Sequence, residues 1–178
     1  MHKEFYVTVF SNNSMNKYTN NVLSCFTNYI DSPLGLKENW EVGITEMYHN
    51  KFISSYKADE TCVNLENDTA EKRLCSYDHN ELNKKYKSQK LMDFMFIHTD
   101  IIKPRHVGDQ MIRCIKVLPA NTLQDDYIKF GRIEYYPIEM SYIRSVSIAI
   151  LDSESNRINF IQSILPTMIT LHFRKKDI

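Results

Sequence analysis

His98, Asp100, His106 and Asp109 crowd the stretch IHTDIIKPRHVGD, and imidazoles and carboxylates are the ligands a metal ion takes. Two residues apart on an extended strand, His98 and Asp100 would share a face. The same stretch reads more economically as a strand that leaves its sheet and turns. In that reading Pro104 ends the strand, Gly108 supplies the turn, and Asp100 and Asp109 cap loop amides. Lys103, Arg105 and His106 would then face solvent. Cys114 could be paired on paper with any of six histidines as nucleophile and base, but its strand is apolar and it fits better as a small buried hydrophobe. GxSxG, HExxH, P-loop and GxGxxG patterns are absent, and four glycines leave little material for a phosphate cradle. A metal- or cysteine-dependent hydrolase is the weakest reading, and no cofactor is called for.

The cations form two groups, Lys84, Lys85, Lys87 and Lys90 around Tyr86, and Arg174, Lys175 and Lys176. Gathered on one face they could hold phosphates. Lys plus Arg equals Asp plus Glu at 22 each, and a domain that binds nucleic acid generally is usually basic. A solvated loop and a solubilising tail describe both groups more simply. The tyrosines differ. Tyr127, Tyr135, Tyr136 and Tyr142 crowd one region with Phe130, more hydroxyls than a small core satisfies. Tyrosine suits protein–protein contacts, so these four are expected at an interface.

The elements that must position these residues are strands. Phe5–Phe10 is rich in β formers and ends in the turn cluster Ser11–Ser14. Val22, Leu23, Phe26, Tyr29 and Ile30 recur at helical spacing before Pro33, which predicts a short helix or helical turn over Asn20–Tyr29. Trp40–Tyr48 alternates, with Trp40, Val42, Ile44 and Met47 inward and Glu41, Thr45 and Glu46 outward. Gly43 leaves a gap in the outward row where a neighbour could come close or a bulge could form. Residues 58–92 are polar, without a clear pattern, and suggest a surface segment. Phe94–Thr99, Met111–Leu118, Ile128–Ile138, Val146–Leu151, Ile158–Ile161 and Met168–Phe173 complete the set.

About eight strands and no strand–helix–strand rhythm predict an all-β antiparallel sandwich or jelly roll with at most one or two short helices, one domain over residues 1–178. Four cysteines without a CxxC pair, no opening apolar run and no stretch long enough to span a bilayer lead us to expect a soluble chain, folded inside the cell, with reduced thiols and no membrane insertion.

Three blocks in order resemble the penton, or minor capsid, proteins of Polinton/Maverick-type elements and adintoviruses. Phe5–His49 is similar to their opening strand, SNxS turn and WEVGL-E strand, through Trp40, Glu41, Val42, Gly43, Ile44 and Glu46. Ile97–Val117 looks like their strand pair around a VGD turn, through Asp100, Pro104, Val107, Gly108, Asp109 and Arg113. Ile158–Lys176 is similar to their closing strand, through Leu171, His172, Phe173 and Arg174. The blocks span roughly two-thirds of the chain. Family members are longer between the WEVG strand and the VGD turn, so the resemblance is to a shortened form. It implies a single jelly roll of two four-stranded sheets, assembled as a homo-pentamer at a virion capsid vertex beside the major capsid protein. It implies no enzymatic activity. Arg105 and Tyr136 are then expected near neighbouring subunits, with Trp40, Gly43, Pro104, Gly108 and Asp109 structural. A carbohydrate- or receptor-binding sandwich is the other non-enzymatic reading, since jelly rolls serve lectins too.

Overall fold

The structure, a computed structural model, describes residues 4–36, 39–50, 94–119, 126–160 and 165–176. The polar segment 58–92, with Lys84, Lys85, Lys87 and Lys90, lies outside the described residues.

Eleven strands run through the described residues: β1 (Glu4–Phe10), β2 (Cys25–Gly35), β3 (Trp40–Tyr48), β4 (Phe94–Thr99), β5 (Arg105–Val107), β6 (Gln110–Ile112), β7 (Cys114–Pro119), β8 (Tyr127–Lys129), β9 (Tyr136–Pro137), β10 (Tyr142–Leu151) and β11 (Met168–Lys175). One sheet has the order β1-β11-β3-β8, with β9 also on β3, and the other β2-β10-β4-β7. Every pairing is antiparallel. From β1 to β4, and again from β7 to β8, from β9 to β10 and from β10 to β11, the chain passes from one sheet to the other. This makes a jelly-roll-like antiparallel sandwich.

Alternation explains the core. Val9, Val42, Ile44, Met47, Ile169, Leu171 and Phe173 face inward from the first sheet. Phe26, Met95, Ile97, Ile115, Val146, Ile148 and Ile150 meet them from the second. With one face of each sheet apolar, packing the two faces together removes both from water.

Three expectations fail here. Residues 20–24 form a turn, and the expected helix is replaced by the start of β2. Thr27 N–H donates to Asn21 Oδ1 and Asn21 Nδ2 donates back to Thr27 O, so an asparagine side chain takes the place of a neighbouring strand. Such local bonds are why Asn disfavours helix interiors. Pro33 sits in β2, an edge strand, opposite a register shift between Ile143 and Ser145. The expected strand Ile128–Ile138 is two short ones, β8 and β9, with Phe130–Tyr135 between them, and Ile158 lies outside any strand.

Asn28 performs a similar service on the sandwich side. Its Oδ1 accepts from Phe10 N and its Nδ2 donates to Phe10 O, both at 2.8 Å, which ties β1 in one sheet to β2 in the other. Both asparagines cover backbone groups of edge strands that would otherwise be open.

Candidate functional site

The residues singled out by chemistry do not converge. Among the described residues no group of three or more His, Cys, Asp or Glu could hold a metal ion. His98 and Cys114 are cross-strand neighbours on β4 and β7, both buried. Burial, with Arg105 nearby, lowers the His98 pKa to about 4, while burial raises the Cys114 thiol. A thiol held protonated is a poor nucleophile, which matches its expected place as a buried hydrophobe. Asp100, expected to cap a loop amide, bonds to a strand instead of standing at a solvated turn. It is buried and accepts from the strand amide of Ser147 at 2.9 Å and from Ser147 Oγ at 3.0 Å. β4 ends at Thr99, and the Asp100 carboxylate takes over as the partner of β10. His106 and Asp109 lie out in solvent on the β5–β6 hairpin, away from this network. Its two-residue turn holds Gly108 at φ +64°, a conformation that L side chains rarely adopt.

Arg105 was expected to face solvent, and it does not. It is half-buried, its Nε donates to Cys114 O at 2.7 Å, and its guanidinium sits 4.4 Å from the Tyr136 ring centre. Tyr136 donates to Glu134 at 3.0 Å, and Glu134 receives Lys116 Nζ at 3.3 Å. Burial first, then the Glu134 carboxylate, push the Tyr136 hydroxyl up to about 12. The Tyr136 bond, with Lys116 behind it, holds Glu134 below the usual carboxylate range. This polar chain spans the side of the sandwich between β7 and the β8–β9 edge.

A second arrangement covers the outer face of the first sheet. Tyr6, 61% exposed, stacks on His172 with ring centres 4.4 Å apart. His172 Nδ1 and Tyr135 Oη share a hydrogen bond of 2.7 Å, and His172 Nε2 lies 3.3 Å from Glu4 without hydrogen-bond geometry. Arg174 lies over the Tyr135 ring at 3.5 Å and pairs with Glu41 at 2.5 Å. Glu41, expected outside, is therefore buried beneath this lid. Alternation along β1 and β11 places Glu4, Tyr6, His172 and Arg174 on the polar face, a signal present in the sequence.

Tyr127 and Tyr142 stand apart from both clusters, 48% and 51% exposed. Tyr127 donates a short hydrogen bond to Glu46, and Tyr142 lies beside Arg144. Lys175 and Lys176 are exposed, and whether Lys84–Lys90 share their face lies outside the described residues.

At one end of the sandwich a cavity of about 370 Å³ opens between Leu36, Asn39, Trp40, Lys103, Ile138, Glu139, Met140 and Ser141. Sequence pattern held no hint of it, because its walls come from three separated stretches of the chain.

No protein-family model matches the chain, and no curated protein does. Among solved structures, the crystal structure of selenomethionine-labelled mavirus penton protein is similar in fold. The TM-score is 0.55 at 9% identity, over 99% of this chain and 100% of that one. The expectation of a shortened form gains no support from that coverage. The fold is shared.

Proposed function

We propose that this chain is a structural capsid protein of penton, or minor capsid, type: one single jelly-roll domain that closes into a homo-pentamer at a virion vertex and contacts the major capsid protein there. The observation that carries the reading is the fold similarity to a penton protein along 99% of the chain. The sequence blocks support it independently, since they fall on β1–β3, β4–β7 and β11 of that fold. A ring needs two different side patches, one meeting the other. The β7–β9 side, with Arg105, Tyr127 and Tyr136, and the opposite side, formed by β1 and β2 with Tyr142 close by on β10, supply such a pair. The work done is burial and symmetry, with no covalent chemistry.

Light scattering over a concentration series, alone and with the cognate major capsid protein, tests this. The expected species is five copies of 21.1 kDa, about 105 kDa. A monomer under both conditions, or a two-fold dimer with both sides of the sandwich open, rejects it.

A further inference from the structure

In an antiparallel pair, alternate residues turn their backbone groups towards the partner strand, and those between turn theirs away. Ser11 N–H donates to Thr167 O at 2.9 Å, so the β1 residues facing β11 are Val9, Val7 and Phe5. Phe10, Thr8, Tyr6 and Glu4 face the other way, towards the edge of the sheet. Asn28 covers Phe10, but the N–H and C=O groups of Thr8, Tyr6 and Glu4 meet no partner among the described residues. The edge strand of the other sheet, β2, is blunted instead. Asn21 holds both backbone groups of Thr27, Tyr29 N–H donates to Ser14 Oγ at 2.9 Å, and Pro33 has no N–H to offer.

The far edge of the first sheet is open as well. His49 N–H donates to Asp126 O at 2.8 Å and Phe130 N–H donates to Thr45 O at 2.9 Å, so Ile128 faces β3. Tyr127 and Lys129 then turn their backbone groups outward, where no partner meets them among the described residues. An edge left without such devices is a template for another strand.

We infer that β1 of one copy pairs with β8 of the next, so that the first sheet runs on across the boundary between subunits. Such a contact presupposes the ring proposed above and supplies the bonding along its sides. Three antiparallel steps, from β1 to β11, to β3 and to β8, leave β8 antiparallel to β1. A copy set alongside without being turned over therefore presents its β8 to β1 in the antiparallel sense. The side chains agree too. Tyr6 on His172 and Tyr127 on Glu46 both lie on the outer face of the sheet. The register that sets Tyr6 opposite Tyr127 of the next copy also sets Glu4 opposite its Lys129, an opposite-charge pair across the strands. Both charges are exposed. Glu4 has His172 Nε2 at 3.3 Å without hydrogen-bond geometry. Lys129 has Glu46 opposite it across β3 but makes no ion pair or hydrogen bond among the described residues. A two-fold pairing of β1 with β1, centred on Tyr6, would set Glu4 opposite Thr8 and gain no such pair.

The test is zero-length carbodiimide cross-linking of the assembled protein, alone or with the major capsid protein, with the linked peptides identified by mass spectrometry. The expected product joins Glu4 to Lys129. Within one copy these residues lie three strand spacings apart, about 14 Å, so the link reports a neighbouring copy. Glu4→Lys and Lys129→Glu should each raise the concentration for assembly about fivefold, since each sets like charges opposite one another at every boundary. The double variant restores opposite charges and should return to within about twofold of the parent. Thermal melts verify that all three variants fold, because both side chains are exposed. A ring that forms without the link, the same link in the separated monomer, or a double variant no better than the single ones overturns the contact and leaves the ring standing. A chain that stays monomeric under both conditions removes the ring and this contact with it.

Discussion

His98 is the residue whose surroundings most alter its chemistry. Buried on β4 opposite Cys114, with the Arg105 guanidinium close by, its ring takes up a proton only near pH 4, against an ordinary 6.5. The unfolded chain binds that proton at 6.5, so stability from the neutral ring is complete above 6.5. It is lost as pH falls from 6.5 to about 4. The full span corresponds to about 3 kcal/mol. Urea midpoints at about pH 7.5 and about pH 4.5 should therefore drop more for the wild type than for His98→Gln. Parallel drops would assign the acid sensitivity to other groups. The neighbouring Asp100 makes the same point about context: its type suggested a ligand or a loop cap, and its bonds to Ser147 make it a piece of the β-ladder.

Between elements, Gly43 shows how a strand's composition records its neighbour. A Cβ there would lie 2.5 Å from Glu134 O and 2.5 Å from Ile133 Cγ2, because the segment joining β8 and β9 passes directly over β3. Gly43→Ala must push that backbone away, with Tyr135 and the lid on Arg174 behind it. The expected loss is about 1–3 kcal/mol by chemical denaturation. Gly131→Ala, where nothing lies within 4 Å, should stay within about 0.5 kcal/mol. Equal effects at the two positions would mean that the close approach at β3 carries no energetic weight. The register shift in β11 between Thr170 and Leu171, opposite Glu46 and Ile44, adds a bulge to the same part of β3.

For the whole molecule, the four tyrosines are not one patch. Tyr135 lids the outer face of one sheet, Tyr136 closes a side with Arg105, and Tyr127 and Tyr142 project from different edges. Only the last two keep about half their surface in water, so they can be changed without disturbing the core. Tyr127→Ser with Tyr142→Ser should leave the melting temperature within about 2 °C while raising the concentration for assembly about tenfold or more. A variant that assembles as readily as the parent would remove these tyrosines from the contact.

The sequence by itself determined the strands that alternate over most of their length, β1, β3, β4, β10 and β11, and with them the all-β class. Alternation is a local property, and a half-buried strand writes it into its own residues. It also carried Gly43 as a point of close approach and the Gly108 turn, since both are demands of the backbone on a single residue. Only the tertiary structure decided the sheet order, the split of Ile128–Ile138, and the replacement of the Asn20–Tyr29 helix by β2. Those depend on partners distant in the chain: Asn21 closing on Thr27, Asn28 on Phe10, and β3 pairing separately with β8 and β9. The same holds for function-bearing groups. Arg105 looked like a solvated turn residue and became a half-buried stack on Tyr136, while Lys103, Trp40 and Met140 met at one recess although they lie on three separate parts of the chain. Side-chain type states what a group can do; which groups meet is fixed by long-range packing, and that information resides in no short stretch of sequence.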